Sequence, residues 1–326
     1  MAAQQRKSTP PRPRSNGRSG NPQRRSAGSA DPHAGAGAGA AGWIGAARLR
    51  TLPLSITPVL IGTGAARLVD PELHWVLALG CLAVGVLLQI GVNFANDYSD
   101  GIRGTDRYRQ GPARLTGAGR ARPRTVLVVA LLFFALAAVV GLALVVRTQH
   151  WWVLAVGAAC IVAAWFYTGG RRPYGYHGLG EVFVFVFFGL VATAGTTYIQ
   201  VGTVPQESWL GAVAAGSLAT AVLLINNLRD LEPDRAAGKR TLSVMIGRRW
   251  SQVLFTVLLA VPIAVGVFLA VFYPIAWITL MTLLGFAPAV LIAWTYRRPP
   301  ELVVALTVTS LTALAYGAVL FWAFSG

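Results

Sequence analysis

The chain has 326 residues, of which 55% are hydrophobic and only 12% are charged, and its mean hydropathy is +0.56. Soluble domains carry roughly 25% charged residues, so this composition excludes an ordinary cytosolic enzyme. The 28 Lys and Arg residues against 12 Asp and Glu give a net charge of +16. Such an excess of cations suits a nucleic-acid partner, but in so apolar a chain it favours the positive-inside bias of a membrane protein.

Residues 1–42 form a first region, rich in Arg, Pro, Ser, Gly and Ala and ending in a glycine–alanine run. This composition has too little apolar surface to offset the entropy of ordering it. We therefore predict a disordered basic arm on the cytoplasmic side. The arm has no apolar stretch typical of a secretory signal peptide. Its seven cations either contact anionic lipid or form a solvated tail that helps to fix the topology.

The rest of the chain, residues 43–326, is predicted to form one all-α membrane domain. Long apolar segments alternate with short polar ones, and each supplies the ~20 residues that a spanning helix needs. Nine spans are predicted, near residues 46–68, 74–96, 124–146, 151–169, 179–200, 208–229, 250–272, 274–296 and 301–323.

The cations predict the orientation of these spans. With a cytoplasmic N-terminus, 26 of the 28 Lys and Arg residues fall on the inner side, and only Arg67 and Arg147 fall outside. The positive-inside rule therefore predicts a cytoplasmic N-terminus and an external C-terminus. A multi-pass protein of the cell membrane, with its chemistry on the cytoplasmic side, is the expected result.

Two clusters of acids and amides mark where that chemistry lies, since acidic residues at membrane depth are costly and usually functional. At the inner end of span two, Asn93, Asn96, Asp97 and Asp100 share one helix face because their spacing is i, i+3, i+4 and i+7. These residues form the first stripe. At the inner end of span six, a second stripe follows the spacing i, i+3 and i+7, and Pro233 is able to loosen its last turn. The members of this second stripe are Asn227, Asp230 and Asp234.

Paired carboxylates facing each other across a bundle form a hard-oxygen site suited to Mg²⁺, which binds through a few carboxylates plus substrate phosphates. Asp97, Asp100, Asp230 and Asp234 are the predicted ligands. The alternative is that the acids solubilise helix ends or pair with loop arginines. Two matching stripes at equivalent depth, each followed by a basic loop, favour the metal.

The basic loops supply candidate ligands for a diphosphate, whose remaining charge Arg and Lys would neutralise. Lys239 is one of only two lysines in the chain. A third inner segment, 167–181, is dense in Gly, Tyr and Arg and predicts a pocket wall, although its tyrosines also suit the interfacial aromatic belt. The candidate substrate-binding residues are Arg103, Arg107, Tyr167, Arg171, Arg172, Tyr174, Lys239 and Arg240.

Four segments resemble the UbiA superfamily, the intramembrane aromatic prenyltransferases of quinone biosynthesis. They are NxxNDxxDG at 93–101, GTDRYRQGPARLTGAG at 104–119, YTGGRRPYGYHGLGE at 167–181 and NNLRDLEPDRAAGKRTL at 226–242. Their sequences resemble in particular those of the branch that acts on 1,4-dihydroxy-2-naphthoate. The resemblance covers residues 43–326 and matches the two stripes to the family's two aspartate motifs. Tyr167 matches the loop motif, whose basic position is doubled here as Arg171 and Arg172.

The resemblance implies a nine-helix bundle around a central cavity and an Mg²⁺-dependent prenyl transfer. A polyprenyl diphosphate and 1,4-dihydroxy-2-naphthoate would react with loss of CO₂ and diphosphate to give demethylmenaquinol, and the product would leave into membrane lipid. A sibling enzyme acting on 4-hydroxybenzoate or homogentisate is the alternative. A secondary transporter is disfavoured because the stripes crowd one membrane face rather than the midplane. A nucleic-acid partner is not expected, because topology spreads the cations over five segments.

Overall fold

The computed structural model describes residues 39–105 and 114–326, and the regular secondary structure within these ranges is helical. Residues 1–38 of the predicted arm lie outside the described residues, and the first helix begins at Ala40. In chain order the helices are α1 (Ala40–Ala47), α2 (Pro53–Arg67), α3 (Trp75–Arg103), α4 (Pro123–Thr148), α5 (Val153–Phe166), α6 (Gly180–Val184), α7 (Ala192–Val201), α8 (Gln206–Arg229), α9 (Leu231–Ala236), α10 (Leu242–Ala270), α11 (Leu283–Thr295) and α12 (Glu301–Ala323).

The helices have the length and apolar surface of a multi-pass membrane protein. In the described part of the chain, seven helices or joined helices are long and apolar enough to cross a membrane, or eight if one bent pair is a single span. Large apolar side chains lie on the outside, as at Val139 (64% exposed) and Leu284 (78% exposed). A water-soluble fold would bury such side chains, so these surfaces face lipid.

Several predicted spans differ in detail from the observed helices. The first is the bent pair, in which Ala40–Thr51 and Pro53–Arg67 meet at 45°; proline starts the second helix because it needs no amide donor there. The fourth is helical only over Val153–Phe166, 14 residues, or about 21 Å at ~1.5 Å per residue. The eighth begins with tighter 3₁₀ turns over Pro274–Thr282.

Helix α8 forms the centre of the bundle, and most of its residues are buried. Its small side chains let neighbouring helices approach closely. One such neighbour is a π-helical segment, Phe185–Val191, that joins α6 to α7. A methyl group built on Gly189 of this segment would lie 2.4 Å from the Cα atom of Gly216 on α8. The contact therefore requires glycine, and it fixes the π segment beside the central helix.

Candidate functional site

The first acid and amide stripe lies on the last turns of α3, on one helix as predicted, and its four residues are all buried. The helix continues to Arg103 and ends where Gly104 adopts a left-handed conformation, φ 71°. Asn93 donates to the carbonyl of Ala47 at 2.9 Å. Asn96 accepts a hydrogen bond of 2.7 Å from the Thr168 hydroxyl. The two amides therefore tie α3 to α1 and to the segment after α5.

Asp97 holds the chain at Leu115 and Thr116, shortly after residues 106–113, which lie outside the described residues. Its two carboxylate oxygens accept hydrogen bonds from the backbone amides of Leu115 and Thr116, each at 2.8 Å. Leu115 is buried in an apolar cluster with Phe94 and Val126. Asp97 thus anchors this return segment to α3 at the position where Arg114 enters the site.

Asp100 is the meeting point of three donors from three parts of the chain, and it is 1% exposed. Arg114 forms an ion pair with it, and the Tyr176 hydroxyl donates to it. The ammonium of Lys239 lies 3.2 Å from its Oδ2 atom. A buried carboxylate surrounded in this way stays ionised, so Asp100 is a fixed negative charge at the centre of the site.

The second stripe does not follow one continuous helix: where a loosened last turn at Pro233 was expected, the helix breaks at Asp230. Helix α8 ends at Arg229, Asp230 leaves helical geometry at φ −93° and ψ 13°, and α9 begins at Leu231. Pro233 lies in the first turn of α9, where it has no amide to donate. The break turns the chain so that Asp234 lies 3.8 Å from the Lys239 ammonium.

The other two members of the second stripe have separate partners. Asp230 accepts two hydrogen bonds, of 2.8 and 2.5 Å, from the buried guanidinium of Arg229. Asn227 donates at 2.9 Å to the buried carboxylate of Glu181, at the start of α6. Lys239 therefore joins the two stripes directly through Asp100 and Asp234, while Asp230 and Asn227 lie beside that junction.

Tyr176 covers the junction with its ring. The Lys239 ammonium lies 4.7 Å and the Arg103 guanidinium 5.4 Å from the ring centroid, within the range of cation–π attraction. Burial raises the pKa of the Tyr176 hydroxyl, and the charge of Asp100 raises it further. The hydroxyl consequently remains protonated and able to donate to Asp100.

The two stripes, together with Arg114, Tyr176 and Lys239, form a polar cluster. An apolar cavity of about 430 Å³ lies next to it. Helix α5 lines it from Val153 to Ala164, and residues of α2, α3, α4, α6, the π segment and α7 complete its walls. Tyr167 and Tyr174 stand at the end near the cluster, with their ring centroids 5.5 Å apart. None of the seven stripe residues lines the cavity, whereas Tyr167 and Tyr174 do.

The seven predicted substrate-binding residues that the structure describes fall into three groups. Lys239, Tyr167 and Tyr174 lie in the cluster or at the end of the cavity. The Arg103 guanidinium donates to the carbonyls of Thr168 and Gly170, and so fastens the segment 167–181 to α3. Arg171, Arg172 and Arg240 have exposed side chains, and Arg107 lies outside the described residues.

The structure adds four residues that the sequence reasoning did not select: Arg114, Thr168, Tyr176 and Glu181. Each lies in one of the segments that resemble the family, and its role depends on a partner at least 14 positions away in the chain. Two of them could have been recognised from the sequence: Tyr176 as one of the tyrosines of the predicted pocket wall, and Glu181 as an acid at the start of an apolar span.

The four predicted ligands of the divalent cation are not gathered in one group. In the described ranges, no three His, Cys, Asp or Glu side chains come together as a metal-binding group. Asp100 and Asp234 nevertheless share one cation, the Lys239 ammonium. Their carboxylate oxygens are the hard donors that Mg²⁺ prefers.

The described residues form a bundle of apolar, membrane-type helices in which two acidic stripes meet beside an apolar cavity, and comparison with known proteins specifies the class and the family. The UbiA prenyltransferase family model matches residues 55–305. The chain is 52% identical over 219 residues to the 1,4-dihydroxy-2-naphthoate octaprenyltransferase of Mycobacterium tuberculosis, covering 67% of this chain and 74% of that protein. The chain belongs to the UbiA prenyltransferase family and is a prenyltransferase.

Solved structures share the fold. An apo UbiA homolog from Aeropyrum pernix matches 81% of this chain and 96% of its own, with a TM-score of 0.61 and 17% identity. A UbiA homolog from Archaeoglobus fulgidus, bound to DMAPP and Mg²⁺, matches 86% of this chain and 99% of its own, with a TM-score of 0.55 and 16% identity.

Proposed function

We propose that this enzyme transfers a polyprenyl group from polyprenyl diphosphate to 1,4-dihydroxy-2-naphthoate, with loss of CO₂ and diphosphate, in menaquinone biosynthesis. The product is demethylmenaquinol. The observation that carries the proposal is the junction of two buried acidic stripes at Lys239, beside an apolar cavity. The acceptor is supported by the name and 52% identity of the mycobacterial relative.

The polar cluster is the proposed diphosphate site. Asp97, Asp100, Asp230 and Asp234 are the proposed ligands of Mg²⁺, which when bound would stabilise the negative charge of the departing diphosphate. Asn93, Asn96 and Asn227 hold the stripes in place through their contacts with Ala47, Thr168 and Glu181. Cations would supply further charge stabilisation. The candidates are Arg103, Arg107, Arg171, Arg172, Lys239 and Arg240.

The apolar cavity is the proposed site of the prenyl chain. Its lining by α5 extends from Val153 to Ala164 and ends at Tyr167, next to the polar cluster. An allylic diphosphate would therefore lie with its chain in the cavity and its charged group among the carboxylates and cations. The apolar walls exclude water from the reacting carbon, and the two tyrosine rings face the place where positive charge develops on it.

The proposed topology has nine spans, with the N-terminus in the cytoplasm, the C-terminus outside, and the active site on the cytoplasmic side of the cell membrane. The helices of the described ranges support this arrangement when the bent first pair and the short α5 each count as one span. The distribution of Lys and Arg supports the orientation.

A reaction with purified protein tests the function. The protein is mixed with Mg²⁺, a polyprenyl diphosphate and equal concentrations of 1,4-dihydroxy-2-naphthoate, 4-hydroxybenzoate and homogentisate, and the prenylated products are separated. We expect the naphthoate product to dominate and EDTA to abolish its formation. Preference for another acceptor would move the protein to a sibling branch, and no prenylated product at all would contradict the proposal.

A further inference from the structure

Glu181 is a buried acid that the proposed diphosphate chemistry does not use. It is 4% exposed, at the start of α6. The side chain that donates to it, among the described residues, is the neutral amide of Asn227 at 2.9 Å. No Lys, Arg or His nitrogen forms an ion pair with it in the ranges 39–105 and 114–326. Since a buried carboxylate without a cation is costly, Glu181 requires a functional explanation.

The position of Glu181 is between the cavity and the second stripe. On one side, Asn227 connects it to the stripe that includes Asp230 and Asp234. On the other side, a methyl group built on the preceding Gly180 would lie 3.5 Å from the Tyr167 hydroxyl. Tyr167 lines the cavity, as do Phe183 and Val184, the second and third residues after Glu181.

Under the proposed function, the aromatic acceptor must bind near Glu181, between the apolar cavity and the second stripe. The carbon to be attacked is the first carbon of the prenyl chain, which lies where the apolar cavity meets the diphosphate site. The acceptor ring therefore reaches the Tyr167 end of the cavity. Glu181 is not itself a lining residue, but it follows Gly180, which packs against the Tyr167 hydroxyl. A hydroxylated ring there presents O–H donors, and a carboxylate is a strong acceptor for them.

We propose that Glu181 binds the aromatic acceptor by accepting a hydrogen bond from a ring hydroxyl, with Asn227 holding the carboxylate in position. The interaction selects hydroxylated acceptors and orients the ring toward the prenyl chain. This inference rests on the proposed function, because it assigns the acceptor contact of the same reaction.

The test compares wild-type enzyme with Glu181→Gln and Glu181→Asp. In Glu181→Gln, the Asn227 amide keeps the oxygen of the new side chain, so the NH₂ group faces the acceptor as a donor. We expect the KM for the acceptor to rise at least about tenfold, as for loss of one charge-assisted hydrogen bond. The KM for the prenyl diphosphate should stay within about twofold. Glu181→Asp keeps a carboxylate as hydrogen-bond acceptor, so its KM for the aromatic acceptor should lie between those of the wild type and Glu181→Gln.

Glu207→Gln is the matched control, since Glu207 is an acid that accepts from the Tyr273 hydroxyl at 2.8 Å and lies in the first turn of α8, at the opposite end of that helix from Asn227. Both KM values should be unchanged in this variant. Thermal unfolding of each protein in detergent separates a folding defect from a binding defect. Equal changes of the two KM values in Glu181→Gln, or no change in either, would overturn the proposal.

A second measurement does not depend on the rate of turnover. 1-Hydroxy-2-naphthoate and 4-hydroxy-2-naphthoate each lack one ring hydroxyl, and their inhibition constants are compared in the wild type and in Glu181→Gln. We expect the wild type to bind one analogue more tightly and the variant to bind both equally. An inhibition ratio that the substitution leaves unchanged contradicts the Glu181 contact. If the wild type prenylates only a different acceptor, the proposed function fails instead.

Discussion

The ammonium of Lys239 lies 3.2 Å from the carboxylate of Asp100, although the two residues are 139 positions apart in the chain. The same ammonium is 3.8 Å from Asp234. One cation thus joins the end of α3 to the segment after α9, and the two acidic stripes meet through it. The geometry of the site depends on this contact.

Replacing Lys239 with Met should abolish most activity. The change leaves Asp100 and Asp234 without their shared cation, and removing one partner of a buried ion pair is strongly destabilising. We expect turnover to fall at least about a hundredfold (~2.7 kcal/mol) and the unfolding temperature to fall as well. Lys239→Arg keeps the charge, so its turnover and its unfolding temperature should both be higher than those of Lys239→Met.

Arg235→Met is the control for this prediction. Arg235 lies on α9 and pairs with Glu232 at 3.1 Å, with both side chains exposed, and exposed pairs contribute only about 0–1 kcal/mol. Its turnover should match the wild type. Turnover of Lys239→Met within about threefold of wild type (~0.6 kcal/mol) would show that the junction does not matter.

Replacing Asp97 with Asn should reduce both activity and stability. The amide has one acceptor oxygen where the carboxylate has two, so one of the backbone amides of Leu115 and Thr116 loses its partner. An unsatisfied buried donor costs about 1–3 kcal/mol. The protein should remain folded in detergent, with a lower unfolding temperature and little turnover. Glu232→Gln, at an exposed acid, serves as the control, and wild-type behaviour of Asp97→Asn would refute the anchoring role.

Replacing Gly189 with Ala should displace the π segment from α8. The new methyl group would lie 2.4 Å from the Gly216 Cα atom and 2.7 Å from the Ala212 carbonyl oxygen, which requires the backbone to move. We expect a lower unfolding temperature and reduced turnover, because Phe187 and Phe188 of the segment line the cavity.

Gly195→Ala provides the comparison for this helix contact. Gly195 lies on α7, and a methyl group built there has no atom within 4 Å. Alanine also favours a helix over glycine by roughly 1 kcal/mol. Its unfolding temperature should equal or exceed that of the wild type. If both glycine variants unfold at the same temperature, the Gly189 contact is not important.

Hydropathy and periodicity predicted the helical membrane fold and the first stripe because both are local properties. Asn93, Asn96, Asp97 and Asp100 lie on one face of α3 since one helix carries them all. The second stripe was only partly predictable. Its residues are correct in position along the chain, but the break at Asp230 depends on Pro233 and on packing.

The partners in the site could not be predicted from the sequence, because they depend on tertiary contacts. Nothing local indicates that Asp97 accepts from Leu115 and Thr116 or that Tyr176 donates to Asp100. The rarity of lysine did single out Lys239. Charge alone did not distinguish the exposed Arg171 from the buried Arg229.

Carbon dioxide release tests the central claim most directly. Purified enzyme, Mg²⁺ and a polyprenyl diphosphate are incubated with 1,4-dihydroxy-2-naphthoate labelled at its carboxyl carbon, and both the released label and the prenylated lipid are measured. Because the prenyl group replaces the carboxyl group, we predict one labelled CO₂ for each prenylated product. Label retained in the lipid product would contradict the proposed reaction.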